Sequence, residues 1–147
     1  MRTNKVGRAV GVVAVFVLGA FAGRAFDRMT TIDAQTPGRV FELRTYTAPD
    51  GKLGDLHKRF RDHTMRIFAK HGMTSVVYLS PMDQPLAQNT LVYLLAHPSR
   101  EAAKASWSAF VNDPEWKKVS SESQVNGPIV SKVDSMFLTP TDYSPLK

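Results

Sequence analysis

The stretch Arg39–Gly72, RVFELRTYTAPDGKLGDLHKRFRDHTMRIFAKHG, decides the fold. Val40 to Thr47 alternates with the period of a strand: Phe41, Leu43 and Thr45 point to one side, and Val40, Glu42, Arg44 and Tyr46 to the other. Pro49-Asp50-Gly51 ends the strand in a tight turn. From about Lys52 to Lys70 the period changes. Leu53, Leu56, Phe60, Ile67 and Phe68 fall on one helical stripe, and Lys58, Arg59, Arg61, Asp62 and Arg66 surround it. Gly72 supplies the left-handed stop. One strand, one turn and one amphipathic helix make a unit that needs more sheet beneath it.

The following segments supply that sheet. Met73 to Leu79 is a second strand, Ser80 to Gln88 a loop with two prolines, and Thr90 to His97 a third strand, apolar on both faces and hence central. Ser99 is placed as the N-cap of a helix carrying Ala103, Trp107 and Phe110 on one side. Asn112-Asp113-Pro114 breaks that helix and starts a short one over Glu115 to Ser121. Asn126-Gly127-Pro128 is a turn, and Ile129 to Leu138 the last strand, with Ile129, Ser131, Val133, Ser135 and Phe137 on one face. The order β-α-β-β-α-β predicts an α+β, ferredoxin-like sandwich: four antiparallel strands with both helices on one face. To the uncovered face the reading assigns Val40, Glu42, Arg44, Tyr46, Val76, Tyr78, Leu91, Tyr93, Leu95 and Phe137, a set too apolar to leave wet. A second copy laid sheet to sheet would cover it. The expected partner is therefore the chain itself, in a homodimeric α/β barrel with a cavity between the sheets.

The chain divides into a leader and linker over residues 1–38, the domain over 39–140 and an extended tail over 141–147. Ala9 to Ala22 is an uncharged apolar run behind a basic start. As a helix it would rise only about 21 Å, short of the roughly 30 Å hydrocarbon core, which suits an export signal better than a permanent span. Ala20-Phe21-Ala22 and Ile32-Asp33-Ala34 are two candidate cleavage sites. The alternative is an uncleaved anchor, the chain's one expected contact with a membrane, its N-terminus held in the cytoplasm by the basic residues. Either way the domain is expected to be exported, periplasmic or extracellular.

The formal charge is +6, and residues 1–34 hold half of it: Arg2, Lys5, Arg8, Arg24 and Arg28 against Asp27 and Asp33. The domain is only mildly basic, with no basic run interleaved with aromatics, so nucleic acid is not an expected partner. The absence of cysteine excludes disulfides, thiolate metal sites and a cysteine nucleophile. The four histidines have no HxxxH or HxH spacing, and no metal site is predicted. Without a GxSxG elbow, a phosphate-binding glycine loop or a Ser-His-Asp order, neither hydrolase nor nucleotide chemistry has support, and no cofactor is expected.

Three segments carry a family resemblance: VFELRTYT at 40–47, HTMRIFAKHGM at 63–73 and above all SWSAFVNDPEWKKV at 106–119. Together they make the chain similar to the NIPSNAP family over roughly Val40 to Leu138. The resemblance implies a small ferredoxin-like domain of the dimeric α/β-barrel type that pairs through its sheet. Eukaryotic relatives are linked to mitochondria and vesicle or mitophagy signalling, and bacterial members generally lack an assigned reaction.

The residues able to do chemistry centre on the first strand and helix. Glu42, Arg44 and Tyr46 form a polar row expected to face the inter-sheet cavity. Arg44 can fork onto a carboxylate, Glu42 can hold Arg44 or act as a base, and Tyr46 can donate from its phenol. The same row would serve equally as an interface network with no ligand. Tyr78 and Tyr93 extend the wall with aromatic surface. His63 sits on the apolar stripe and is expected beneath the sheet, either as a satisfied core histidine or as a pocket residue. Trp107, Phe110, Pro114 and Trp116 are assigned to packing around the second helical corner. Two functions follow: an exported module that binds a small molecule or a protein partner, or a cofactor-independent enzyme of monooxygenase or isomerase type. In the second, His63 or Glu42 would take a proton and Arg44 would stabilise the anion. Haem handling would need His63 as an axial ligand.

Overall fold

The computed structural model describes residues 38–146. Apart from Gly38, the leader and linker read as an export signal or anchor lie outside the described residues. Four strands, β1 (Val40–Thr47), β2 (Thr74–Leu79), β3 (Thr90–His97) and β4 (Lys132–Leu138), form one antiparallel sheet in the order β2-β3-β1-β4. The helices are α1 (Leu53–Arg59), a π-helical turn (Phe60–Thr64), α2 (Met65–Lys70), α3 (Arg100–Asn112) and α4 (Pro114–Glu122). This is the ferredoxin-like βαββαβ arrangement.

Local chemistry sets the ends. The Ser99 hydroxyl accepts from the Ala102 N–H at 3.1 Å to cap α3, and the Asp113 carboxylate accepts from the Glu115 N–H at 2.7 Å to cap α4, with Pro114 at the first helical position. Gly51 and Gly72 adopt φ of +74° at the two reversals that flank the first helical rod, where a side chain would be strained. Strand β4 starts at Lys132, three residues later than Ile129, because Ser131 leaves the ladder to bond the Thr47 carbonyl with both its N–H and its hydroxyl.

Two expectations fail here. The residues that share a sheet face were grouped correctly, but the helices cover the opposite face from the one assigned. Glu42, Arg44, Tyr46, Tyr78 and Tyr93 lie between sheet and helices: Tyr93 is fully buried against Phe60 and Phe68, and the Trp107 indole of α3 bonds Glu42. They cannot line a cavity between two sheets. Alternation leaves the covered face undecided because both rows are apolar. The open face instead carries Leu43, Val92 and Leu94, half-buried, with Val77, Leu79, Met136 and Leu138 between 36% and 55% exposed.

The second failure is His63, which is exposed. Met65 N–H bonds the Phe60 carbonyl five residues back, and Thr64, four after Phe60 and three before Ile67, takes the buried place on the stripe instead of His63. The Thr64 hydroxyl closes this turn on the Arg59 carbonyl at 3.2 Å. His63 is accordingly neither a core histidine nor a candidate axial ligand beneath the sheet.

Candidate functional site

Under α3, the Glu42 carboxylate is the hub of a buried polar network. One oxygen accepts from Arg44 Nη1 and Ser135 Oγ, each at 2.7 Å; the other accepts from Trp107 Nε1 at 2.7 Å and His97 Nε2 at 3.2 Å. Glu42 and His97 are both at most 2% exposed. Burial works to raise the carboxyl pKa, but the bonds from His97, Trp107, Ser135 and Arg44 overcome it and hold the group at about 2, so it is ionised at neutral pH.

Arg44 is tied down on every side. Its Nε donates to the Tyr93 hydroxyl at 3.0 Å and its Nη2 to the Tyr46 hydroxyl at 3.2 Å, while its guanidinium lies 4.1 Å from the centre of the Trp107 ring. Burial opposes its charge, but the neighbouring phenols and Glu42 outweigh it and raise its pKa. Tyr78 stacks on Tyr93 at 5.6 Å, and burial raises the pKa of both phenols. Strand register accounts for this grouping: Glu42 stands opposite Leu95 and Phe137, and Arg44 opposite Tyr93 and Ser135.

One hollow opens onto this network, and another lies elsewhere. A cleft of about 560 Å³ opens beside α3, with Glu42, Trp107 and Phe137 inside and Arg100, Glu101 and Lys104 along the helix that borders it. Arg100 lies 4.7 Å over the Phe137 ring. A groove of about 320 Å³ runs between α1 and α4, bounded in part by His63 and Arg59. The other histidines serve elsewhere: His57 meets the Ser80 hydroxyl at 3.3 Å, and His71 meets Asp113 at 2.6 Å, tying the end of α2 to the α3–α4 corner.

Of the residues singled out in the sequence, Glu42, Arg44, Tyr46 and Tyr93 thus form one network, Tyr78 packs on it, and His63 stands apart. The sequence reading missed His97, Ser135 and Trp107 as partners of Glu42. The first two were within reach, since His97 continues the 91-93-95 parity of β3 and Ser135 shares parity with Phe137. Trp107 joins them only because α3 packs onto the sheet and brings its indole to Glu42.

Geometry of this kind defines a ferredoxin-like domain whose polar hub lies between helices and sheet, and solved structures share the fold. An uncharacterised NIPSNAP-like domain protein from Burkholderia xenovorans matches with a TM-score of 0.64 and 19% identity, over 74% of this chain and 91% of that one. A NIPSNAP family protein of unknown function from Agrobacterium tumefaciens matches with a TM-score of 0.65 and 21% identity, over 75% and 95%. SnoaB, a cofactor-independent oxygenase from Streptomyces nogalater, matches with a TM-score of 0.50 and 13% identity, over 74% and 98%. No curated protein sequence matches the chain. The NIPSNAP family profile matches residues 41–145, and the chain belongs to the NIPSNAP family.

Proposed function

We propose that this NIPSNAP domain is an exported homodimer that binds a small molecule in the cleft beside α3. The observation that carries the binding reading is the state of Glu42. A carboxylate with four donors and a pKa of about 2 is a poor proton acceptor at neutral pH, but it is a rigid, charged floor for a recognition site. Trp107 and Phe137 add flat apolar surface, and Arg100 and Lys104 add positive charge, the mixture that small-molecule sites use. Pairing is supported by the open sheet face, where Val77, Leu79, Met136 and Leu138 leave apolar surface that a second sheet would bury. Export is supported by the basic-then-apolar leader in the sequence.

Native mass spectrometry of the domain purified from its own host tests the binding reading. The expected result is a dimer with a retained small molecule, and Arg100→Glu with Lys104→Glu should lose that added mass without losing the dimer. An empty wild-type protein, or a mass unaffected by the double substitution, counts against the cleft.

The fold shared with SnoaB favours a second reading, cofactor-independent oxidation of a bound substrate. The hydrogen-bonding state of Glu42 argues against it as the base, and His63 lies away from the cleft. Turnover of the retained molecule in air would move the assignment to an enzyme.

A further inference from the structure

Arg59 is a buried cation without an anion. It is 6% exposed, and among the described residues no carboxylate lies within ion-pair distance of it. Its Nε is buried with no hydrogen-bond partner, and its Nη1 reaches only the Ser123 hydroxyl, at 3.4 Å. The Trp116 ring lies 5.1 Å from the guanidinium. The buried carboxylates Glu42 and Asp113 are already committed, Glu42 to Arg44 and Asp113 to Lys70 and His71. An uncompensated buried charge is strongly unfavourable, so Arg59 is retained at a cost in stability unless something else supplies the anion.

The groove between α1 and α4 leads to this guanidinium. The π-helical turn that starts immediately after Arg59 shapes one wall and turns His63 toward it, and such turns are frequent at functional sites. The groove is also bordered by Asp55, Asp62 and Glu122, each of which has its own lysine: Lys52 at 3.3 Å, Lys58, and Lys118 at 3.9 Å. A buried guanidinium together with exposed carboxylates is complementary to neither a plain cation nor a polyanion. A cation would meet Arg59 without a partner, and a polyanion would meet the acids.

We propose that this groove binds a small zwitterionic aminocarboxylate, its carboxylate forked on Arg59 and its ammonium among Asp55, Asp62 and Glu122. A planar guanidinium that no carboxylate of the described residues pairs is suited to a bidentate carboxylate. A volume of about 320 Å³ suits a ligand of amino-acid size. This site is separate from the cleft beside α3, and neither depends on the other.

Arginine side-chain NMR reads the proposal directly. The Arg59 Nε–H signal, assigned by its loss in Arg59→Met, should move saturably as 4-aminobutyrate is added to the folded protein. Butyrate should bind about threefold or more weakly, since it lacks the contact with the acids, and inorganic phosphate should bind more weakly still. Asp62→Asn with Glu122→Gln should erase the preference for 4-aminobutyrate over butyrate. Arg59→Met should melt no lower than the wild type without ligand, because it removes an unpaired buried charge. An Arg59 signal unmoved by 4-aminobutyrate, equal binding of butyrate, tighter binding of phosphate, or a lower melting temperature for Arg59→Met would each overturn the assignment.

Discussion

Replacing Glu42 by Gln tests whether the ionised hub holds helices and sheet together. The carboxyl falls from an ordinary 4.5 to about 2 in the folded protein. Conversion of that difference gives about 3 kcal/mol at neutral pH, and screening by water in the open cleft lowers the expected contribution to about 2 kcal/mol. Since the folded value is depressed, this stability is complete above pH 4.5 and is lost as pH falls toward 2. Glu42→Gln removes the charge but keeps the shape, leaving Arg44 with the Tyr46 and Tyr93 hydroxyls and the Trp107 face. Urea unfolding of both proteins at a series of pH values isolates Glu42 from other titrating acids, such as Asp113, whose pKa is also lowered, chiefly by Lys70 and His71. The difference between the proteins should be about 2 kcal/mol at pH 7 and should shrink between pH 4.5 and 2. A difference below about 0.5 kcal/mol at pH 7, or one that does not change with pH, would refute the hub argument.

Further expectations concern the open face and the histidines. Leu94→Arg, in a central strand of the uncovered face, should weaken self-association by about tenfold or more, whereas Lys118→Glu on α4 should leave it unchanged; sedimentation of the domain from about Gln35 onward measures both. Equal effects would mean that the open face is not where copies meet. His97→Ala should cost about 1–3 kcal/mol by removing a buried donor to Glu42, while exposed His63→Ala should stay within about 0.5 kcal/mol of wild type. Thermal or urea unfolding that reverses this order would contradict their placement.

Sequence periodicity by itself determined the elements and the groups of residues that share a face. β1 and β3 occupy the predicted residues, Ser99 and Asp113 cap α3 and α4, and Glu42, Arg44, Tyr46 and Tyr93 stand on one side of the sheet. These are consequences of local chemistry, repeating every two or 3.6 residues along the chain. Which face the helices cover was settled only by the tertiary structure. Phe41, Leu43, Val92 and Leu94 form a row as apolar as Leu91, Tyr93 and Leu95, and the polar row in β1 became internal because Trp107, His97 and Ser135 converge to satisfy it. Thr64 and His63 are both spaced to fall on the first helical stripe, and only packing decided that Thr64 is buried and His63 exposed. Arg59 shows the same limit: on a helical wheel it belongs to the charged side, and only the packing of α4 against α1 buries it without a counter-ion. Burial of a polar group depends on partners distant in the chain, and a local pattern carries no information about them.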